Sequence, residues 1–579
     1  MRENNKLHLY SIFLSLAIYL CLALVFIFSF NTFTDLMRKN PQKVIVEGLL
    51  LPRTNFPLNT TFNVDPLLTS SNVDSIREIR KSISFLIFSK LFRENPDGSI
   101  TPDIVEKYEF TNSQNLTLNI RKGLMWHDGT PLNANDVQFT FNTLKGIGQS
   151  TLYYAAVNGN DLQIDLIDEY SLKLTLANSD GPRPNAAYLH SLTFPILPKH
   201  ILENYPKPSL NLLSETDFGK KPIGSGILKY GENKIEELVL MRNGNYYDGP
   251  VLFDRYVFKF YKDYEKLIED YKLKNVDLIR RTEAVAKDKI YENLQNAGMK
   301  YDERIIRKRR LVLYFNLGNR SNDASVFSKS TLIRRGLLNV IDRSGLIRVL
   351  GNAKESFGPI DQDSWAFSPD VIQKQTLSIE SFDKLVTGLG YSKVDGIYQK
   401  EGIPLKFTVS YLDGGIRTPI IEELTSQLKS AGVNLVAKPI TDNNESPSSE
   451  QSPVNKESFY SIVNNRDYDA LLTAVDHFMD PDVFNEWHST KIAAPGLNLS
   501  GFSSKVVDRT LEDGKINSGD ARKADYIRFQ RTFFEEVPAI YLLNPGMQIY
   551  YSSELKISGS KEITEEIYFY NEINKWEVN

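Results

Sequence analysis

The residues with the most evident chemical potential lie in one short segment in the C-terminal third of the chain. Carboxylate oxygens and imidazole nitrogens are ligands that divalent metals accept in proteins. The segment offers both, from Asp476, His477, Asp480, Asp482 and His488. These residues lack the regular spacing of a metal motif, and none of the six histidines of the chain belongs to an H-E-x-x-H sequence. We therefore expect neither a bound metal nor a cofactor.

A second segment, Gly224-Ser225-Gly226, has the composition of a catalytic or phosphate-binding turn but not the spacing. A serine-hydrolase elbow reads G-x-S-x-G, and a phosphate loop ends in Lys followed by Ser or Thr. Neither pattern is present here. Glycines instead allow a backbone to approach a ligand or another strand closely. The sequence thus favours a binding function over an enzymatic one.

Upstream of both segments, the sequence predicts a strand, a tight turn and the start of a helix. Leu116–Ile120 alternates apolar and polar residues, as a strand with one wet face does. Asp128-Gly129 suits a turn with Gly at positive φ, and Pro131 cannot continue a ladder. Asn133 or Asn135 is then placed to cap the helix.

Hydrophobic periodicity and turn residues predict the other elements that must position these segments. We expect strands at Val44–Leu51, Asp254–Tyr261 and Leu311–Phe315 and one opening at Tyr468, helices at 75–91, 265–274, 419–431 and 526–535, and a hairpin over Gly396–Val409 with Gly402 at its bend. Gly432 follows the third of these helices and is expected to cap it.

The stretch from Arg121 to Val137 reads RKGLMWHDGTPLNANDV and resembles the hallmark sequence of the family 5 extracellular solute-binding proteins. These are the oligopeptide and dipeptide receptors of ABC importers. Other segments resemble motifs of this family, in order, from about residue 44 to about 555. They include Asp97–Val105, Phe194–His200, Pro222–Lys229, Leu313–Asn316, Ile333–Arg343 and Val537–Leu542. The last of them resembles an edge strand of the family.

The resemblance implies an α/β fold of two lobes, as in type II periplasmic binding proteins, with mixed sheets and an extra subdomain. Lobe I is expected to combine residues 44–85, 213–302 and 533–579. The extra subdomain is expected to span 86–212, and lobe II 303–532. A membrane anchor and tether over residues 1–40 would precede them, as one N-terminal transmembrane helix.

The resemblance also suggests where a ligand binds. In peptide-binding members, the lobes close on the peptide, and an aspartate holds its free amine. A buried ammonium requires such a carboxylate, because burying the charge alone is costly. Asp476 is the corresponding candidate, although the family's preceding Gly-Trp pair is missing and one extra residue separates it from Asp480-Pro481. A structural cap at Asp476, Asp480 as the anchor and a shifted register remain alternatives.

Further residues are expected at the same cleft by this resemblance. They are His477, Phe478, Gly224, Ser225, Gly226 and Trp126. For Trp126, a half-buried packing role is favoured over a place in the cleft.

Composition limits the possible partners. The chain of 579 residues is 41% hydrophobic and 24% charged, as expected for an ordinary globular protein with several domains. Its net charge is −4, and its densest basic cluster is Arg304 with Arg307-Lys308-Arg309-Arg310. We interpret this cluster as a solvated face beside the strand Leu311–Phe315, so nucleic acid is not an expected partner. The expected partners are a peptide or peptide-like solute and the permease subunits of an importer, with the receptor itself a monomer.

The N-terminal segment predicts attachment to a membrane. The run Leu9–Phe30 is nearly all apolar and, as a helix, spans a bilayer core of about 30 Å. A cleaved signal peptide has an apolar region of about 7–15 residues followed by small residues, whereas this run ends in bulky ones. An uncleaved signal-anchor is therefore favoured over a cleaved signal peptide and over lipidation at Cys21, which lacks the preceding small residue. The globular part would then lie on the extracytoplasmic side of the cell membrane.

The implied function is capture of peptides or peptide-like solutes in a cleft between the lobes, and their delivery to the permease of an ABC importer. A membrane-tethered sensor or chaperone-like module on the same fold is the alternative, suggested by the anchor and the missing Gly-Trp pair. A surface hydrolase is a third possibility, for which the sequence offers no nucleophile–base or metal constellation.

Overall fold

The computed structural model describes the greater part of the chain. The described residues are 42–51, 64, 66, 74–112, 115–147, 162–176, 189–210, 213–282, 289–318, 325–370, 378–440, 459–477, 479–493 and 496–579. Residues 1–41, which carry the predicted membrane anchor, lie outside them. Among the described helices, none has both the length and the apolar character needed to cross a membrane.

Strands occur throughout the described chain. They are β1 (Val44–Leu50), β2 (Phe92–Glu94), β3 (Ile100–Pro102), β4 (Val105–Phe110), β5 (Asn115–Ile120), β6 (Leu162–Asp168), β7 (Ser171–Leu176), β8 (Leu228–Lys234), β9 (Glu237–Arg242), β10 (Arg255–Tyr261), β11 (Leu278–Thr282), β12 (Lys300–Ile306), β13 (Arg309–Phe315), β14 (Ala353–Glu355), β15 (Ser392–Val394), β16 (Ile397–Lys400), β17 (Ile403–Pro404), β18 (Lys406–Leu412), β19 (Asn434–Ile440), β20 (Ala470–Asp476), β21 (Ala539–Tyr551), β22 (Leu555–Lys556), β23 (Glu562–Ile563) and β24 (Glu577–Val578).

Helices alternate with these strands. They are α1 (Asp74–Ile87), α2 (Ala134–Ile147), α3 (Lys199–Leu202), α4 (Lys207–Leu210), α5 (Asp217–Lys220), α6 (Tyr264–Lys272), α7 (Lys289–Asn296), α8 (Val326–Lys329), α9 (Thr331–Leu337), α10 (Arg343–Leu350), α11 (Ile379–Gly388), α12 (Arg417–Ser430), α13 (Phe459–Asn465), α14 (Phe484–Trp487), α15 (Lys505–Ile516) and α16 (Gly519–Glu536). Short 3-10 helices lie at Leu213–Glu215, Ser489–Lys491, Glu566–Tyr570 and Ile573–Lys575.

The main sheet is continuous, with the strand order β19-β18-β20-β13-β21-β11-β1-β10-β9-β8. β1 runs parallel to β10 and β11, and β18 runs parallel to β19 and β20. By contrast, β13 and β21 run antiparallel to their neighbours. The sheet is therefore mixed in both of its halves, which lie on either side of β21.

β21 serves both halves of the sheet. Its first residues pair with β13, where Ala539 lies opposite Tyr314. Its last residues pair with β11 and β12, both of which reach Tyr551. The first half of the molecule thus contains β1 and β8–β12, and the second half contains β13 and β18–β20.

A second connection between the halves lies beside β21, where β12 leads into β13. Asn544 of β21 joins the two connections. Its Nδ2 donates to the carbonyl oxygens of Arg307, at 2.8 Å, and Arg309, at 3.0 Å. Two adjacent segments joined in this way form a hinge between two bodies.

Hydrophobic cores lie on both faces of each half. In the second half, Leu311 and Leu313 of β13 face one core, and Val312 and Tyr314 face the other. This alternation follows from the period of two along a strand. The first half likewise packs one core against each face of its sheet.

A separate antiparallel sheet, with the order β4-β5-β7-β6, extends from the first half. Leu116, Leu118 and Ile120 of β5 are buried while the intervening residues are half-exposed, as the alternating sequence predicts. Helix α2 packs against β6. This sheet shares one hydrophobic core with the first half, so the two form one body.

The predicted elements are mostly confirmed, with boundaries shifted by up to seven residues. One is wrong: the hairpin predicted to reach Val409 ends at Pro404, because β18 joins the main sheet. The edge strand predicted at Val537–Leu542 agrees with the structure, since this part of β21 pairs with β13 on one side and the strand β14 joins the other side only from Leu543. The position after residue 85 lies inside α1, and β21 pairs with strands of both halves, while the predicted lobe limits stay a prediction.

Candidate functional site

Charged side chains gather where the two halves meet at the hinge. They come from α1, β2, the β12–β13 connection, β20 and the segment after β23. We call them the cleft-floor cluster, which consists of Glu78, Lys81, Glu94, Lys308, Arg309, Asp476, Glu565 and Glu566.

Arg309, the first residue of β13, contacts carboxylates from both halves. Its Nε lies 3.0 Å from Oδ1 of Asp476, which is its partner on the neighbouring strand β20. Its Nη1 lies 2.7 Å from Oε1 of Glu566, and its Nη2 lies 3.6 Å from Glu78 of α1. One guanidinium therefore links a second-half carboxylate to two first-half carboxylates.

Lys308 makes the corresponding contacts one residue earlier. Its Nζ lies 2.6 Å from Glu94 of β2 and 2.8 Å from Glu565. Glu565 also pairs with Lys81 of α1 at 3.2 Å. Since Lys308 lies in the hinge connection, these ion pairs fix the hinge against the first half.

The pKa values in the cluster reflect burial and the close spacing of charges. Burial raises the pKa of Glu78, and the nearby carboxylates of Glu566 and Asp476 raise it further, against the effects of Lys81 and Arg309. Burial also acts to raise the pKa of Asp476, but Arg309 and Lys81 together lower it to about 2. Asp476 is therefore ionised at any physiological pH.

Asp476 differs from its neighbours in accessibility. Its side chain is 42% exposed, whereas those of Arg309 and Glu566 are 11% and 4% exposed. A carboxylate offers about four lone-pair directions, and Arg309 occupies one side of this one. Asp476 thus presents an ionised, partly open acceptor at the end of a central strand.

The neighbours of Asp476 in the sequence do not share its position. His477 is 2% exposed, and its Nδ1 lies 2.9 Å from Oε2 of Glu486, within the core of the second half. Its backbone N–H donates to the carbonyl oxygen of Lys308 at 2.9 Å. His477 therefore extends the strand pairing at the hinge. Phe478 lies outside the described residues.

The predicted turn near residue 126 and the glycine segment lie against each other. His127 joins them: its backbone N–H donates to the Gly224 carbonyl at 2.8 Å, and its Nδ1 accepts from the Gly224 N–H at 3.2 Å. Its Nε2 lies 3.0 Å from the carbonyl oxygen of Gly226. Burial lowers the pKa of His127 to about 4, so the ring is neutral and donates through Nε2. We call this contact the His127 clamp.

The glycines of this segment are required by packing against α1. A Cβ on Gly224 would lie 2.0 Å from the carbonyl oxygen of Ile87. Ser225 also contacts this region, because Ser89 Oγ donates to its carbonyl oxygen at 3.0 Å. Trp126 is 2% exposed and packs in the core near His200. The structure thus places these predicted site residues at the junction of the first half and its extra sheet.

The residues weighed as metal ligands engage other partners. Both carboxylate oxygens of Asp480 accept from Arg522, at 2.6 and 2.9 Å. His488 Nδ1 lies 2.8 Å from the Thr490 hydroxyl. Within the described ranges, no three His, Cys, Asp or Glu side chains are placed to share a metal ion.

The interpretation of the basic cluster as a solvated face is wrong. Arg304, Arg307, Lys308 and Arg310 are between 2% and 7% exposed. They are buried because the β12–β13 connection passes between the two halves, where carboxylates such as Asp361, 2.8 Å from Arg307, meet them. The sequence signal was the run of four basic residues directly before the predicted strand Leu311–Phe315. Nothing in the sequence around their acidic partners, at positions 78, 94, 565 and 566, indicated that these carboxylates would contact the basic run.

Solved structures share this two-lobed architecture. NikZ from Campylobacter jejuni, in complex with Ni(L-His), aligns with a TM-score of 0.67 and 22% identity over 93% of this chain and 99% of that one. The oligopeptide-binding protein AppA from Bacillus subtilis, in complex with a nonapeptide, aligns with a TM-score of 0.65 and 20% identity over 93% and 100% of the two chains. The fold is therefore that of the two-lobed α/β periplasmic binding proteins.

The sequence comparison narrows this class to a family. Residues 99–493 match the family model for bacterial extracellular solute-binding proteins, family 5 (middle region). The curated sequence of B. subtilis AppA is 25% identical over 498 residues, which cover 83% of this chain and 85% of that protein. The chain belongs to the family 5 bacterial extracellular solute-binding proteins.

Proposed function

We propose that this chain is the substrate-binding component of an ABC importer and captures peptides in the cleft above the cleft-floor cluster. Membership of the solute-binding family supports a binding role without catalysis. The name of the relative AppA, an oligopeptide-binding protein, supports peptides as the ligand class. The site residues all come from a single chain, so a monomer suffices.

The observation that carries the peptide proposal is the position of Asp476. It ends a central strand of the second half, faces carboxylates of the first half across Arg309, and keeps 42% of its side chain exposed. An amino terminus has a pKa of about 8 and is an ammonium at neutral pH. The ionised Asp476 supplies the counter-charge that this ammonium needs when the two halves enclose it.

Calorimetric titration of the detergent-solubilised full-length protein with tri-alanine and with N-acetyl-tri-alanine tests this role. We expect tri-alanine to bind and the acetylated peptide, which has no ammonium, to bind at least about 30-fold more weakly. That factor corresponds to about 2 kcal/mol, the lower end for losing one partner of a buried charge pair. Asp476→Asn should remove the difference by weakening tri-alanine alone.

Asp165→Asn is the matched control, because Asp165 is an exposed residue of β6 in the extra sheet. It should bind both peptides as the parent does. Equal binding of the two peptides by the parent, or unchanged binding by Asp476→Asn, would contradict the role of Asp476. Binding of a nickel–histidine complex with no response to either peptide would replace the peptide as the ligand class.

We also propose that the apolar run Leu9–Phe30 stays attached and holds the receptor on the extracytoplasmic side, close to its permease. The length of the run and the bulky residues at its end support this arrangement. Protease added to intact cells should then degrade the globular part, while alkaline carbonate should leave the full-length chain in the membrane fraction. A receptor released by carbonate would contradict the anchor.

A further inference from the structure

A small cavity lies beside the cleft-floor cluster, between the end of α1 and the segment that follows Glu566. Its volume is about 30 Å³. A single water needs roughly 10–15 Å³ on this measure, so the space suits a group with two oxygen atoms. Its walls include Phe85, Lys90, Arg93, Tyr246 and Tyr570.

Two of the charged groups at the cavity are already engaged with each other. Asp103 Oδ1 accepts from Arg93 Nη2 at 2.8 Å, and its Oδ2 accepts from the backbone N–H of Lys90 at 2.8 Å. Arg93 Nη2 also donates to the hydroxyl of Tyr247 at 2.7 Å. These bonds leave neither Arg93 nor Asp103 as the principal group for a ligand.

Lys90 is different. The residue is 5% exposed, yet in the described part of the chain no carboxylate oxygen lies within 4 Å of its Nζ. Its Nζ lies over the ring faces of Phe85 and Tyr568, at 5.2 and 5.9 Å from the ring centres. Lys308, by contrast, has two carboxylates within 3 Å. A buried ammonium without a paired anion is costly, and buried charges in proteins are otherwise paired.

Lys90 lies near the proposed ligand cleft, and its side chain is mostly in the charged ammonium form at neutral pH. Burial lowers its pKa to about 8, while Glu565 and Asp103 act to raise it, Lys308 to lower it and Glu94 to raise it. Glu565 and Lys308 belong to the cleft-floor cluster, so the ammonium lies next to the site proposed for the peptide amine.

We propose that the Lys90 ammonium, with the cavity beside it, binds a carboxylate group of the ligand. This inference rests on the proposed function and adds a second charge requirement to it, opposite in sign to that of Asp476. The small volume favours a carboxylate over a bulkier tetrahedral anion. Either the C-terminal carboxylate or an acidic side chain can supply it.

The test compares three peptides on the full-length protein: tri-alanine, its C-terminal amide, and Ala-Glu-Ala amide. If Lys90 binds the terminal carboxylate, the parent prefers tri-alanine to its amide by about tenfold. If it binds an acidic side chain, the parent prefers Ala-Glu-Ala amide to tri-alanine amide by the same factor. Lys90→Met removes whichever preference exists and leaves the affinity for tri-alanine amide unchanged. Lys107→Met, at an exposed lysine of β4, retains it.

Two results would overturn the inference. One is equal affinity of the parent for all three peptides, which leaves the amine site and the proposed function standing. The other is a preference that survives in Lys90→Met. Absence of binding by every free-amine peptide refutes the proposed function instead. Thermal unfolding provides an independent readout: Lys90→Met, which removes an unpaired buried charge, should melt no lower than the parent, whereas a clearly lower Tm would make Lys90 structural.

Discussion

Two clusters of buried ion pairs in this molecule have similar chemistry and different construction. In the first half, Glu47 of β1 is 0% exposed and pairs with Arg280 of β11. Its other oxygen accepts from the hydroxyls of Tyr256 and Tyr570, each at 2.6 Å. This Glu47 cluster lies within one body and leaves no carboxylate oxygen without a partner.

The cleft-floor cluster uses the same residue types across the hinge. Arg309 belongs to the second half, whereas its partners Glu78 and Glu566 belong to the first. Asp476 remains partly open to solvent. The comparison indicates that loss of one partner in the Glu47 cluster would leave a charge buried within one body, whereas the ion pairs of the cleft-floor cluster hold the two halves in one relative position.

The largest effect should come from the Glu47 cluster. Glu47→Gln leaves Arg280 buried without its counter-charge, and we expect a loss of about 3–5 kcal/mol in the free energy of unfolding. Denaturant titration measures it, with the exposed Glu109→Gln of β4 as the control. A loss below about 1 kcal/mol would contradict the structural role of this cluster.

A neutral contact should cost less. His127→Ala removes the side-chain bonds of the His127 clamp and leaves the buried N–H of Gly224 unpaired, while the Gly226 carbonyl keeps its bond from Asn243 Nδ2 at 2.8 Å. We therefore expect a loss of about 1–3 kcal/mol. His200→Ala is the control. The His200 side chain contacts Asp128 at 2.8 Å but is 30% exposed, so this contact should contribute less than about 1 kcal/mol to the free energy of unfolding. Equal losses would show that the clamp contributes no more than a surface ion pair.

In the cleft-floor cluster, a substitution should change conformation as well as stability. Arg309→Met leaves the carboxylates of Asp476 and Glu566 facing each other without their shared cation. We expect a loss of about 1–3 kcal/mol in unfolding free energy, less than for Glu47→Gln because Asp476 is 42% exposed and can be solvated, together with a larger radius of gyration by small-angle scattering without peptide. Arg509→Met, whose side chain is 72% exposed on α15, should change neither quantity. An unchanged radius together with a large loss of stability would place Arg309 with the Glu47 cluster.

The smallest effect concerns acid. The pKa of Asp476 is lowered from its ordinary 3.8 to about 2, so its stabilising contribution is complete above pH 3.8 and is lost as the pH falls through 2. Because the side chain is 42% exposed, we expect less than about 1 kcal/mol. Between pH 5 and pH 2, the parent should lose more stability than Asp476→Asn. Parallel curves would mean that the pair with Arg309 does not stabilise the protein.

Local sequence patterns predicted most of the helices and strands of the fold. The alternation in β5 and the periodicity of α12 depend on neighbours within a few residues, and the structure confirms both. The double pairing of β21, with β13 through its first residues and with β11 and β12 through its last, was not predictable in this way, because a single strand sequence does not reveal how many neighbours it has. Its nearly continuous burial, visible only in the structure, is what a strand covered on both faces requires.

The site was predictable only in part. Asp476 was predicted through a family motif, and the structure places its side chain where the two halves meet, but its binding role stays a prediction. Its surroundings were not foreseen, because Lys308 meets Glu94, 214 residues earlier, and Glu565, 257 residues later. No local spacing records such contacts. The basic run at 307–310 was misinterpreted for the same reason: a charge run is solvated unless distant segments fold over it.

The position of β21 in the sequence also determines when the main sheet can be completed during synthesis. Both halves take a strand from Ala539–Tyr551, which follows every other strand of the main sheet except β23 in the sequence. Domains that are continuous in sequence fold one after another as they emerge from the ribosome. Here neither half has all the strands of its main sheet until Tyr551 has been added. The nascent chain therefore stays without a finished main sheet until both halves can be completed together.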